Sequence, residues 1–209
     1  MGKSATEVLL QERAALCDTI EQAGPGAPTL CEGWVTLDLA AHLVAREARS
    51  DAAVGLVVPF LAGHLQRVMD KYKGKGYDAL VGMLRTGPPW MHRTGPLATA
   101  NVSENFIHHE DVRRASGAAP RSLDRDTEEV LWKMAGFGMS KKSIPGVALT
   151  LRTPDGREKL VTKDGTQVAM TGATGELVLF LSGRKGAALV SFSGDDAAVA
   201  TVRDAKFGV

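Results

Sequence analysis

The chain has 209 residues, 44% of them hydrophobic and 23% charged, with 25 Lys and Arg against 24 Asp and Glu. That is enough apolar side chain for one large core or two small ones. A net charge of +1 offers no basic field to hold nucleic acid or an anionic membrane. The longest apolar stretch, Val54 to Ala62, is broken by Pro59 and falls short of the about 20 residues a bilayer span needs. The N-terminus, Met1-Gly2-Lys3-Ser4, lacks the apolar core of a secretion signal. Two cysteines, Cys17 and Cys31, make no disulfide framework and no Cys-x-x-Cys, which fits a reduced, cytoplasmic setting.

Ser4-Ala5-Thr6-Glu7 reads as a capping box, and Val8, Leu9, Leu16 and Ile20 recur at helical spacing. That helix should stop at Gly24, before Pro25, Gly26 and Pro28 force a loop. Thr36 reads as the N-cap of a second helix, with Asp38 in its first turn. Pro59 suits the start of a third helix running to about Lys73, with Leu61, Leu65 and Val68 inward. Tyr77 to Leu84 is a short helix stopped by Gly87-Pro88-Pro89. Pro96 can open a long helix that ends at Gly117. Asp126 to Lys141 is one more amphipathic helix, with Val130, Leu131, Met134 and Phe137 inward.

After Pro145 the hydrophobic period changes from helical to alternating. Val147, Leu149 and Leu151 point one way, and Pro154-Asp155-Gly156-Arg157 turns the chain into Leu160-Val161. Gln167 to Thr171 and Ala188 to Ser193 read as further strands, Thr174 to Ser182 and Asp195 to Val202 as helices. The pattern predicts a mainly helical domain over residues 1–143 and a small α+β domain over residues 144–209.

The long helix carries Glu104 and His108, four apart and so on one face. A carboxylate oxygen and an imidazole nitrogen held that way can reach one divalent ion, which then needs at least one donor from elsewhere. His42 on the second helix is the proposed third donor, with His64 and His92 competing. Such a pair is also common as a solvated surface contact, so spacing alone leaves both readings open. Asp38, one turn before His42, either caps its helix or accepts a hydrogen bond from the imidazole's second nitrogen. Asp111, three after His108 and on its side, is a candidate fourth ligand or an outer carboxylate. His109 points about 100° away from His108. Arg113 and Arg114 suit the C-terminal end of their helix, Cys31 reads as a small buried side chain, and Trp34 and Trp90 read as packing residues.

Thr29-Leu30-Cys31-Glu32-Gly33-Trp34, then Asp38-Leu39 and Ala41-His42-Leu43, resemble the signature of the mycothiol-dependent maleylpyruvate isomerase metal-binding domain. Glu104-x-x-x-His108 with Asp111, Arg113 and Arg114 resembles that family's second metal segment, and the His108-His109-Glu110-Asp111 run looks like an actinobacterial branch described as metal-binding. The resemblance implies a DinB-like four-helix bundle in which His42, Glu104 and His108 hold zinc with one coordination position open. It implies mycothiol as a thiol cofactor, and a small-molecule electrophile as substrate. Gly175-Glu176-Leu177 and Leu181-Ser182-Gly183-Arg184 broadly resemble the small C-terminal domain of the family, similar to sterol carrier folds. Family enzymes hold a substrate carboxylate with an arginine of that domain, here Arg184 or Arg152, and His92 is placed to line the mouth. The functional expectation is a metal-dependent thiol S-transferase or isomerase. A metal-dependent hydrolase, and a non-catalytic protein binding a metal or an apolar ligand, are the alternatives. The sequence leaves metal identity, substrate and oligomeric state open.

Overall fold

A computed structural model of the chain describes residues 2–48, 62–88, 96–137 and 144–207. They form two compact units, Met1–Ser122 and Leu123–Val209, the first helical and the second built on a small sheet. Pro59, Leu61, Trp90 and His92 lie outside the described residues.

The first unit contains α1 (Ala5–Ala23), α2 (Thr36–Ala48), α3 (Ala62–Lys73), α4 (Tyr77–Thr86) and α5 (Pro96–Ala115). The capping box forms as read: Ser4 Oγ accepts from Glu7 N, and Glu7 accepts from Ser4 N at 2.7 Å. Helix α1 lies along α5, and α2 packs on α3 and α4. Leu16, Ile20, Leu39, Leu43, Leu65, Val68, Met69, Leu80, Leu84 and Val112 close a core of buried side chains from every one of these helices. Thr36 is already helical; its hydroxyl donates to the Gly24 carbonyl, and Asp38 instead takes the capping hydrogen bond, from Val35 N at 3.0 Å.

Two buried charge arrangements pin this unit. Arg13 and Glu47 form a bidentate pair at 2.7 and 2.6 Å, with Arg13 also donating to the Leu84 carbonyl at 2.8 Å, so one guanidinium joins α1, α2 and α4. Glu12 on α1 accepts from His109 Nδ1 at 2.9 Å and from Arg121 at 2.7 Å, and Thr19 Oγ1 lies 2.8 Å from His109 Nε2. Arg121 also donates to Glu110, which holds Arg113 and Arg114 as well. The two last-turn arginines thus serve a buried carboxylate on α5, and Arg113 also reaches the Ala119 carbonyl.

The second unit orders its strands β2-β1-β3-β4, with β1 (Val147–Arg152), β2 (Glu158–Leu160), β3 (Thr166–Thr171) and β4 (Ser191–Gly194). Strands β1 and β3 run parallel and the two edge pairs antiparallel. Gly165 has φ +123, and a Cβ there would collide with the Gly146 backbone, so the approach of β3 to β1 needs a glycine. Helix α6 (Arg125–Met134) packs on α7 (Thr174–Leu181), and α8 (Asp196–Asp204), capped by Asp195, packs on the sheet. Helix α6 therefore belongs to the sheet unit, whereas the sequence placed it before the boundary at 143. It also ends earlier than read: Ala135–Phe137 is a turn, and Phe137 is 78% exposed rather than inward. Among the described residues no helix is long and apolar enough to cross a membrane.

Removing one member of the Arg13–Glu47 pair strands a buried charge. Glu47→Ala should cost about 3–5 kcal/mol in urea unfolding, and Arg13→Met with Glu47→Leu should recover most of it. A single variant no worse than the double would refute the assigned role. Burial works against the Glu12 carboxylate, but the His109 and Arg121 hydrogen bonds outweigh it and hold the pKa below the ordinary 4.5. A depressed carboxylate stabilises fully above its unfolded pKa and loses that contribution as pH falls through the folded one. The stability gap between the natural protein and Glu12→Gln should therefore narrow as pH falls below 4.5. A constant gap down to acid unfolding would contradict this.

Candidate metal centre

Helix α5 presents Glu104, His108 and Asp111 on one face, and α2 brings His42 to it. The loop between α1 and α2 is tightly folded on itself. Thr36 N donates to Ala27 O, Thr29 Oγ1 to Trp34 O, and Trp34 N to Cys31 O. Gly33, at φ +75, makes that last turn in a conformation other residues rarely adopt. Leu30 N donates to Asp111 O at 3.1 Å, which docks the loop on α5 and sets Cys31 and Trp34 beside the histidines.

The His42 and His108 rings meet edge to face, centroids 5.4 Å apart, and Trp34 covers His42 at 5.1 Å. Both imidazoles are buried. His108 Nδ1 donates to Asp111 Oδ2 at 2.9 Å, and its Nε2 faces Glu104 Oε2 at 3.8 Å. Cys31 Sγ donates to the same Asp111 oxygen at 3.2 Å. Asp111 is fully buried, and a carboxylate, which can only accept, requires the proton of this hydrogen bond to sit on His108 Nδ1.

Among the described residues, the donor atoms within 4.8 Å of one another are those of Cys31, His108 and Asp111, a group able to hold a metal ion. Glu104 Oε2 faces the other nitrogen of His108 and the His42 ring meets the His108 ring, but among the described residues His42, Glu104 and His108 do not bring three donor atoms within 4.8 Å of one another. The two sides differ in spacing. Ligand atoms about 2.0 Å from a tetrahedral ion lie about 3.3 Å apart, and two imidazoles on one such ion have centroids about 5 Å apart. The 2.9 Å between His108 Nδ1 and Asp111 is hydrogen-bond spacing, tighter than an ion allows. The 3.8 Å between Nε2 and Glu104, and the 5.4 Å between rings, are spacings an ion can close. Of the described residues, the close donor group is thus Cys31, His108 and Asp111, and the Nε2 side of His108 is the more widely spaced.

The other residues named from the sequence are placed as follows. Asp38 does not serve His42: its oxygens go to Val35 N and to Lys73 Nζ at 2.7 Å, and that cation with the backbone bond outweighs burial and lowers its pKa. His64 is half-buried on α3, outside the donor group. Arg184 and Arg152 belong to the second unit, where Arg184 donates to Ser182 O at 2.6 Å and Arg152 pairs with Glu158 at 2.8 Å. The Cys31 contact was missed, because a half-buried loop thiol gives no sequence signal of what it faces. Arg46 lies one turn after His42 on α2, and its contact with Glu104 at 3.6 Å is likewise tertiary. A cavity of about 580 Å³ in the first unit, lined by Val44, Ala48, Met83 and Pro88 among others, includes none of the donor residues.

The helical unit with its buried histidine and aspartate and half-buried thiol, followed by a four-stranded sheet unit, has a counterpart among solved structures. The crystal structure of the mycothiol-dependent maleylpyruvate isomerase matches over 90% of this chain and 91% of that one, with TM-score 0.55 and 18% identity. A histidine-to-alanine variant of that enzyme matches over the same shares at TM-score 0.55 and 16% identity. At such identities the likeness establishes the fold. No protein-family model and no curated protein matches the sequence.

Of the two thiols, only Cys31 adjoins these donors. Burial pushes the Cys17 thiol up to about 11. At pH 8 its thiolate is then about one part in a thousand, so iodoacetamide should label native Cys17 at least about 100-fold slower than a free cysteine. Labelling of Cys17 at the free rate, read by peptide mass spectrometry, would contradict that burial.

Proposed function

We propose that the protein is a metal-dependent, thiol-using S-transferase or isomerase acting on a small electrophile, with His42, Glu104 and His108 as the ligands of one divalent ion, zinc by donor preference. The observation that carries this is His108: Nδ1 tied to a buried carboxylate, Nε2 turned toward Glu104, and a second imidazole at its edge. Two neutral imidazoles and one carboxylate leave a coordination position for a small molecule, the pattern of catalytic sites.

The chain's residues do the holding. Asp111 keeps the His108 proton on Nδ1 and raises the basicity of Nε2. Trp34 packs over His42 and restricts water on that side. Glu104, with its side chain 37% exposed, forms the open edge. Bound there, a divalent ion supplies Lewis acidity that draws a thiol into its nucleophilic thiolate form at neutral pH. The fold neighbours, named for their dependence on mycothiol, support that compound as the thiol. Arg184 or Arg152, with His92, remain the proposed substrate contacts from the sequence. The reading also takes the first unit as a DinB-like four-helix bundle.

A second arrangement, with the ion on Cys31, His108 Nδ1 and Asp111, is favoured by their convergence within 4.8 Å and is separable by experiment. Cobalt-loaded protein should show no thiolate-to-cobalt band until a thiol is added. A band present beforehand and lost in Cys31→Ser would move the ion to the Cys31 side. His108→Ala and Glu104→Gln should abolish stoichiometric metal, and Asp111→Asn should weaken metal affinity about 10–100-fold. Stoichiometric metal retained in both His108→Ala and Glu104→Gln would sink the proposal.

A further inference from the structure

Asp111 is addressed twice by consecutive residues of one loop. Leu30 N donates to its backbone oxygen at 3.1 Å, and Cys31 Sγ donates to its side-chain Oδ2 at 3.2 Å. The backbone of Cys31 is itself held on both sides. Its N donates to Thr29 Oγ1 at 3.2 Å, and its carbonyl accepts from Trp34 N at 3.0 Å. Thr29 Oγ1 in turn donates to Trp34 O at 2.9 Å. The thiol is therefore aimed at Asp111 by a fixed stretch of chain, whose Trp34 packs on His42.

The oxygen that takes the thiol is the one that takes His108 Nδ1, at 2.9 Å. A carboxylate oxygen offers a pair of lone-pair positions, and donors that share it divide its negative charge. Each bond is then weaker than it would be alone. A thiol is a weak donor, so the imidazole keeps the stronger bond and the thiol only trims it. The effect passes through the ring, because the less the Nδ1 proton is drawn away, the less basic Nε2 becomes.

We propose that Cys31 is a positioning residue acting on His108 through Asp111: its thiol takes a share of Oδ2 and so limits how strongly that oxygen draws the Nδ1 proton. One consequence rests on the reading of His108 Nε2 as a metal ligand. A less basic Nε2 gives up some affinity for a divalent ion and leaves the ion a stronger Lewis acid toward a small-molecule thiol. Cys31 would thus tune the site without touching the ion.

Metal-free protein with labelled histidine tests the first part by NMR. Cys31→Ala and the near-isosteric Cys31→Val both remove the donor, and both should move the His108 Nδ1 proton downfield. His109, whose Nδ1 bonds to Glu12 at the same 2.9 Å, is the internal reference and should stay in place. Cobalt should bind both variants about 3–10-fold tighter, a smaller effect than the about 10–100-fold of losing an outer partner altogether. A His108 proton unmoved or moved upfield in both variants would overturn the proposal, the upfield case making the thiol a prop for Asp111. A downfield shift in one variant and not the other would trace it to packing and overturn it as well. Downfield shifts in both with weaker cobalt binding would leave the shared hydrogen bond as assigned and instead remove Nε2 as the metal ligand.

Discussion

A single imidazole, His108, has two nitrogens facing opposite tasks, and the site depends on keeping them apart. Asp111 holds Nδ1 from a position with no solvent exposure, where a carboxylate without partners would be costly. It meets that cost with hydrogen bonds from His108 and from the Cys31 thiol, while its backbone carbonyl receives Leu30 N. The loop before α2, the thiol and the tautomer of His108 are thereby one mechanical unit. Moving the loop would change the hydrogen bonding of Asp111, and through it the direction in which Nε2 points.

Around this centre the helical unit is held by charge as much as by apolar packing. The Arg13–Glu47 pair crosses three helices, and the Glu12–His109–Arg121–Glu110 network joins α1 to α5. Such groups specify geometry, because each hydrogen bond has a direction and a hydrophobic contact has none. His108 and His109 show the consequence: adjacent residues, turned apart on the helix, one given to the site and the other to the scaffold. How α5 is oriented is thus set partly by His109 and Glu110, which bond to α1 and to Arg121.

Much of the fold was legible in the chain. The capping box at Ser4, the stop at Gly24, the Pro96 start and the change of period after Pro145 all mark local events, and local rules fix them. The sequence erred where a boundary depended on packing. Helix α6 has an amphipathic pattern that suits either unit, and only its contact with α7 assigns it. Phe137 fits the helical period but falls beyond the helix end, so it faces water. Thr36 and Asp38 both suit a cap, and the loop that delivers Val35 chose Asp38.

By itself the sequence determined the faces: Glu104, His108 and Asp111 share one because helical spacing is fixed by backbone geometry. It could not determine what those faces meet. That His42 rather than His64 stands at His108, that Cys31 reaches Asp111 and that Arg46 reaches Glu104 follow from how helices and a loop dock. Docking sums many weak, distant contacts, and no short stretch of chain encodes that sum.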